Sequence, residues 1–200
     1  MKKMQEMVDV GKIASEILNK EVSNLWRRDE LGKPLRNRLE QKLAFLEDGA
    51  VLVLDFRNVE DISGSVADEL GPIFMNRVIN GDFGEKFVVY YGGNADVSHA
   101  LQTEFSRKKG KVVGLALNGK NGIYGELPKY LLDSFFAVQR KNDGITYAEI
   151  AKKLTIEEGN ASKRLTQLFS LRLVRREEYI PPNGGKRYIY KSIVVRGDRG

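Results

Sequence analysis

The chain reads as an α/β protein: a mainly parallel sheet with helices, followed by a small α+β domain. Three observations lead there. Apolar runs of strand length, AVLVLDF (50–56), KFVVYYGG (86–93) and KVVGLALNG (111–119), alternate with stretches of helical periodicity. Strand, helix, strand, helix, strand with short loops implies right-handed crossovers and parallel strands covered on both faces. After a glycine- and proline-bearing stretch, ALNGKNGIYGELPKY (116–130), the pattern changes to helices and then a hairpin. Residues 1–119 are therefore expected as one domain, 120–127 as a linker and 128–200 as a second domain.

The elements follow in order. Residues 1–28 are expected to add an edge strand and a helix. RLEQKLAFLEDG puts Leu35, Leu39, Leu43 and Leu46 on one helical face and stops at Gly49. Beyond the 50–56 strand, Val66, Leu70, Ile73 and Phe74 recur at helical spacing from Ser65 onward, and Pro72 should kink or split that helix. Val97, Leu101 and Phe105 mark the helix between the second and third strands. In the second part, Leu131, Leu132, Phe135 and Phe136 form an apolar stripe, Asp143-Gly144 makes a turn, and Thr146 caps a short helix. A third helix, EEGNASKRLTQLFS, precedes the strand-like runs LVRREEYI and KRYIYKSI around the turn PPNGG.

Composition excludes several chemistries. Among 200 residues there is no cysteine and one histidine, so no thiolate nucleophile, no Cys-based zinc site and no multi-imidazole metal site is available. No cofactor and no metal are expected. No run approaches the roughly 20 apolar residues of a membrane span, and residues 1–12 lack the apolar centre of a secretory signal, so a soluble cytoplasmic protein is the default. Charge is uneven: residues 1–127 hold 18 Lys and Arg against 19 Asp and Glu, residues 128–200 hold 15 against 8. A C-terminal part at +7 points to an anionic partner.

Three helices followed by a hairpin is the layout of a winged helix-turn-helix. On the third helix Ala161, Leu165, Leu168 and Phe169 face the core, leaving Asn160, Ser162, Lys163, Arg164 and Gln167 outward. Asn and Gln pair with adenine, and Arg or Lys with guanine, when such a helix lies in the major groove. Thr146 and Tyr147 at the start of the second helix join this expected DNA-contact set. The wing tip Asn183-Gly184-Gly185-Lys186-Arg187 suits a minor groove or phosphates, and Lys152, Lys153, Arg175 and Arg176 would add phosphate contacts. The plainer alternative is a solvated charged face.

GITYAEIAKKLTIEEGNASKRLTQLFSLRLVRREE resembles the winged-helix domains of bacterial and archaeal regulators such as the MarR and ArsR groups. The resemblance implies double-stranded DNA as partner and a homodimer on a symmetric site. One position departs from it: where the family usually has glycine, ending the recognition helix in a left-handed turn, this chain has Arg172, which adopts that geometry only at a cost of order 1 kcal/mol.

VLDFRNVEDISGSVADELGPIF resembles the STAS-like domains, relatives of the anti-sigma-factor antagonists: a strand ending in Asp-Phe, a short turn, then Ile-Ser-x-Ser-x-Ala-Asp-Glu-Leu opening a helix. The family loop is Asp-Ser-Ser-Gly, phosphorylated by a kinase on its second serine. That implies Ser63 at the modified position, Asp61 and Gly64 matching its neighbours, and Ile62 departing; Ser65 is the alternative serine. Read from the residues, Ser63 or Ser65 is a helix cap, with Asp68 and Glu69 complementing the helix dipole, or a nucleophile; the switch is what the resemblance implies. The nucleophile needs a base, and only His99 or a carboxylate is at hand. GGN at 92–94 lacks the Gly-Lys-Ser/Thr of a phosphate loop, and Tyr90 and Tyr91 either line a pocket or form sheet surface. The expectation is thus no enzyme, but a transcriptional regulator whose STAS-like domain senses a signal, a protein partner or a kinase. The alternative is an adaptor in a phosphorylation-controlled partner-switching pathway.

Overall fold

The computed structural model describes residues 4–117, 122–180 and 184–193. The chain divides into two compact units, Met1–Glu126 and Leu127–Gly200.

In the first unit, β1 (Gln5–Asp9), β3 (Val51–Asp55), β5 (Phe87–Tyr91) and β6 (Gly114–Ala116) run parallel, and β7 (Ile123–Tyr124) pairs antiparallel with β6. They form one five-stranded sheet in the order β1-β3-β5-β6-β7. Register sets Met7, Val53, Val89, Leu115 and Ile123 side by side across it. Alternate strand residues, Val8, Leu52, Leu54, Val88, Tyr90 and Ala116, share one core with the helices α1 (Val10–Leu18), α2 (Lys33–Phe45), α3 (Gly64–Asp68), α4 (Phe74–Ile79) and α5 (Ala95–Ser106). The residues between them, Val51, Val53, Phe87 and Val89, are buried as well. That is why these strands read as unbroken apolar runs rather than alternating ones.

Helical periodicity located the helices, and local chemistry set their ends. Leu35, Leu39 and Leu43 are fully buried on α2, while Leu46 lies just past its last turn. Pro72 sits in a π-helical turn, Glu69–Ile73, that separates α3 from α4; the widened turn accommodates a residue with no N–H to donate. Residues 1–28 supply the expected edge strand and helix, β1 and α1. A parallel pair of two-residue strands, β2 (Asn24–Leu25) and β4 (Asp61–Ile62), had no sequence signal and holds the segment around Trp26 against the Ser63 loop.

Two expectations need correction. The described part of the 120–127 stretch is not a free linker: Ile123 and Tyr124 are buried and close the sheet as β7, because both are apolar enough to cover its edge. The third strand is shorter than 111–119, and Asn118, Gly119, Lys120 and Asn121 lie outside the described residues.

The second unit comprises α6 (Lys129–Gln139), α7 (Tyr147–Leu154), α8 (Glu158–Ser170) and an antiparallel hairpin of β8 (Val174–Tyr179) and β9 (Arg187–Ser192), to which Ile145 adds a bridge at Tyr190. The buried face of α6 is Leu131, Phe135 and Val138 with Ser134 and Ala137; Leu132 and Phe136, expected in that stripe, are only half-buried. Pro181, Pro182 and Asn183 of the turn lie outside the described residues.

Candidate functional site

α7 begins with a capping box. The Thr146 hydroxyl accepts from the Glu149 amide at 3.3 Å, and the Glu149 carboxylate accepts from the Thr146 amide at 2.8 Å. Lys141 pairs with the same carboxylate, and its hydrogen bond, ahead of the Thr146 amide, holds Glu149 below the usual carboxylate range. Thr146, expected at DNA, therefore uses its hydroxyl inside the chain; Tyr147 follows it, half-buried. Lys152 and Lys153 stand exposed in the last turn of α7, where they complement the helix dipole.

α8 has the two faces its spacing predicts. Ala161, Leu165, Leu168 and Phe169 are buried. Asn160, Ser162, Lys163 and Gln167 are exposed, and their side chains have no hydrogen bond or ion pair among the described residues. Sequence reasoning missed Gly159, Thr166 and Ser170, which are exposed too; the helical period, carried one residue further around, would have found them.

Arg164 and Arg175 both have partners within the unit. Arg164 turns toward α6: Nη1 donates to the Tyr130 carbonyl at 3.4 Å and the guanidinium lies 5.2 Å from the Tyr130 ring centroid. As the neighbour of buried Leu165 it borders the core stripe and is half-buried. Arg175 is half-buried, donates to the Ile193 carbonyl at 3.3 Å, and burial pushes its guanidinium below its ordinary value. It fastens β8 to the chain after β9. Arg176 lies 4.0 Å from the Phe169 ring centroid and 4.5 Å from that of Tyr188. At the hairpin, Lys186 pairs with Glu178 at 3.1 Å and Lys191 with Glu177 at 2.5 Å, so both lysines have a carboxylate partner within it. Arg187 stands opposite Tyr179 in the ladder, and Asn183 lies outside the described residues.

The Ser63 loop follows β3. Ser63 is the N-cap of α3, its hydroxyl accepting from the Val66 amide at 3.4 Å and lying 3.2 Å from the Ser65 hydroxyl. The cap reading from the sequence is thus realised in the geometry. Asp61 accepts from the Trp26 indole N–H at 2.8 Å, and the Ser63 amide donates to the Leu25 carbonyl at 3.0 Å. Trp26 is 54% exposed beside this loop; as the chain's one tryptophan, in a charged segment, it carried a signal that the sequence reading passed over. A Cβ at Gly64 would lie 2.9 Å from Glu104 Oε1, so the end of that side chain would have to shift to admit one. Asp68 and Glu69 do more than face a helix dipole: Glu69, 1% exposed, pairs with Arg28 at 2.6 Å and Arg36 at 2.5 Å, and Asp68 pairs with Lys108 at 3.3 Å. His99 is exposed on α5. Tyr90 is core rather than pocket lining, its hydroxyl donating to the Leu70 carbonyl at 2.9 Å.

Among the described residues no cluster of three or more His, Cys, Asp or Glu is placed to hold a metal, and no helix is long and apolar enough to cross a membrane. No protein-family model, no curated protein and no solved structure matches the chain.

Proposed function

We propose that the chain is a DNA-binding transcriptional regulator, with a STAS-like sensor or interaction domain preceding a winged helix that binds double-stranded DNA. One observation carries this reading: α8 buries a continuous apolar stripe and turns Asn160, Lys163 and Gln167 outward with no side-chain partner among the described residues. Polar side chains left free on a rigid helix, in a unit at +7, are equipped for base edges. Lys163 suits guanine and Asn160 and Gln167 suit adenine. Lys152, Lys153 and Arg187 are the candidates for phosphates. A homodimer belongs to the proposal, since one such unit reads a short half-site and two-fold symmetry doubles it.

The test is in vitro selection of bound duplexes from a random library, followed by titration of the recovered sequence. Lys163→Ala with Gln167→Ala should weaken binding by about 1–3 kcal/mol per lost base contact with folding unchanged. Unaltered affinity would sink the assignment of α8.

A second reading, an adaptor in a phosphorylation-controlled partner-switching pathway, rests on the exposed Trp26 hydrogen-bonded to Asp61 next to Ser63. A phosphate on Ser63 would add nearly two negative charges beside Asp61 and Glu60 and displace the cap, repelling a partner docked there. Comparing Ser63→Asp with Ser63→Ala tests it.

A further inference from the structure

Uncommon features meet in one short stretch. Trp26, the chain's one tryptophan, is 54% exposed. Arg27 holds φ 70 and ψ 103, a backbone region that L side chains rarely adopt and that persists only where the surroundings force it. Arg28–Gly32 then forms a π-helical turn, a geometry that gathers at functional sites. The forcing contacts lie on either side of Arg27. Before it, the Trp26 indole N–H donates to Asp61 Oδ2 at 2.8 Å, and Leu25 pairs with Ile62 across β2 and β4. After it, Arg28 donates to the buried Glu69 at 2.6 Å. The strain is thus held by anchors that fix the indole at the surface. An aromatic ring already fixed loses little freedom when a partner covers it, which is one reason tryptophan carries so much binding energy at interfaces.

The charges around the ring decide what it fits. Arg27 and Arg28 flank it in the chain, yet Arg27 pairs with Glu30 at 2.7 Å and Arg28 with Glu69 and Asp68. No ring or guanidinium lies on the indole among the described residues. Asp61 accepts only from neutral N–H groups, the Trp26 indole and the Ile62 amide at 2.8 Å. Glu60, next to it and exposed, has no ion pair among the described residues. Two carboxylates without a cationic partner therefore accompany an exposed indole, and both the ring face and the carboxylates attract cations. We infer that Trp26 is the docking point for a partner protein that lays an arginine or lysine side chain on the indole, with its charge against Asp61 and Glu60. This contact goes beyond both readings above. It needs no DNA, and a phosphate on Ser63 would hold such a cation rather than repel it, so it is not the contact that the partner-switching reading releases.

The experiment selects random displayed peptides on the full chain after depleting the pool on Trp26→Ala, or on Asp61→Asn should Trp26→Ala melt far below the parent. The recovered peptide is titrated against the parent and followed through the single indole, by fluorescence and by its N–H resonance. The peptide should carry arginine or lysine, bind more weakly as salt rises, and lose at least about tenfold in affinity to Asp61→Asn, whose amide oxygen still accepts from the indole but bears no charge. Ser63→Asp should bind it at least as tightly as the parent does. Recovered peptides without a basic residue, an affinity for Asp61→Asn within about twofold of the parent's, or no peptide that tells the parent from the depleting variant would overturn the inference. A dimer that Trp26→Ala converts to a monomer, with no peptide recovered, would assign the surface to a second copy and refute the basic partner. None of these outcomes depends on whether the chain selects a duplex.

Discussion

Arg172 shows what one residue can cost and keep. It holds φ 58 just past α8, and the turn it makes is a Schellman motif: the Arg172 amide donates to the Phe169 carbonyl at 2.9 Å and the Leu173 amide to the Leu168 carbonyl at 3.1 Å. The helix therefore ends as a glycine would end it, and the left-handed Cβ costs about 1–2 kcal/mol. Its guanidinium, 5.6 Å from the Phe169 ring centroid, returns about 0.5–1 kcal/mol of that. Arg172→Gly should accordingly stabilise the protein by about 0.5–1 kcal/mol in chemical denaturation. The identity of this position was legible in the sequence because helix stops have local signatures; that arginine would accept the geometry was not. The contact that Arg164 makes was not legible either. Its partner, Tyr130, is 34 residues away, and no periodicity encodes such a pairing.

At the scale of elements, short-range rules did most of the placing. Thr146 and Glu149 stand at capping-box spacing, and both halves of the box form. Because Lys141 and the Thr146 amide lower the Glu149 carboxyl, its contribution is present above the ordinary glutamate value near 4.3 and fades as pH falls through the lowered one. Glu149→Gln should flatten the loss of stability below about pH 4.3 followed by circular dichroism; an unchanged acid limb would contradict the ion pair. The π-helical turn at Pro72 was legible only as an interruption. Glu69, its first residue, is buried and pairs with Arg28 and Arg36, and those partners come from a segment 33 to 41 residues earlier.

For the whole molecule, the question is whether an event at the Ser63 loop reaches the unit proposed to bind DNA. Ser63→Ala should lower stability by about 1 kcal/mol through the lost cap and leave DNA affinity alone. Ser63→Asp keeps a cap-forming side chain while adding charge, so a change in affinity with that variant only, measured on the selected duplex, would mark the loop as an input. Equal affinities would leave Ser63 a cap. The sequence by itself determined the order of the main strands and helices, the parallel strands, the buried faces of α2 and α8 and a serine cap at Ser63 or Ser65, since each follows from the period of apolar residues or from chemistry within one turn. Only the tertiary structure decided that Ile123 and Tyr124 complete a sheet, that Arg164 and Arg175 find partners within their unit, and that Trp26 meets Asp61. Those facts depend on which distant segments meet. A hydrogen bond or a steric gap between them is a property of three-dimensional proximity that local sequence does not carry.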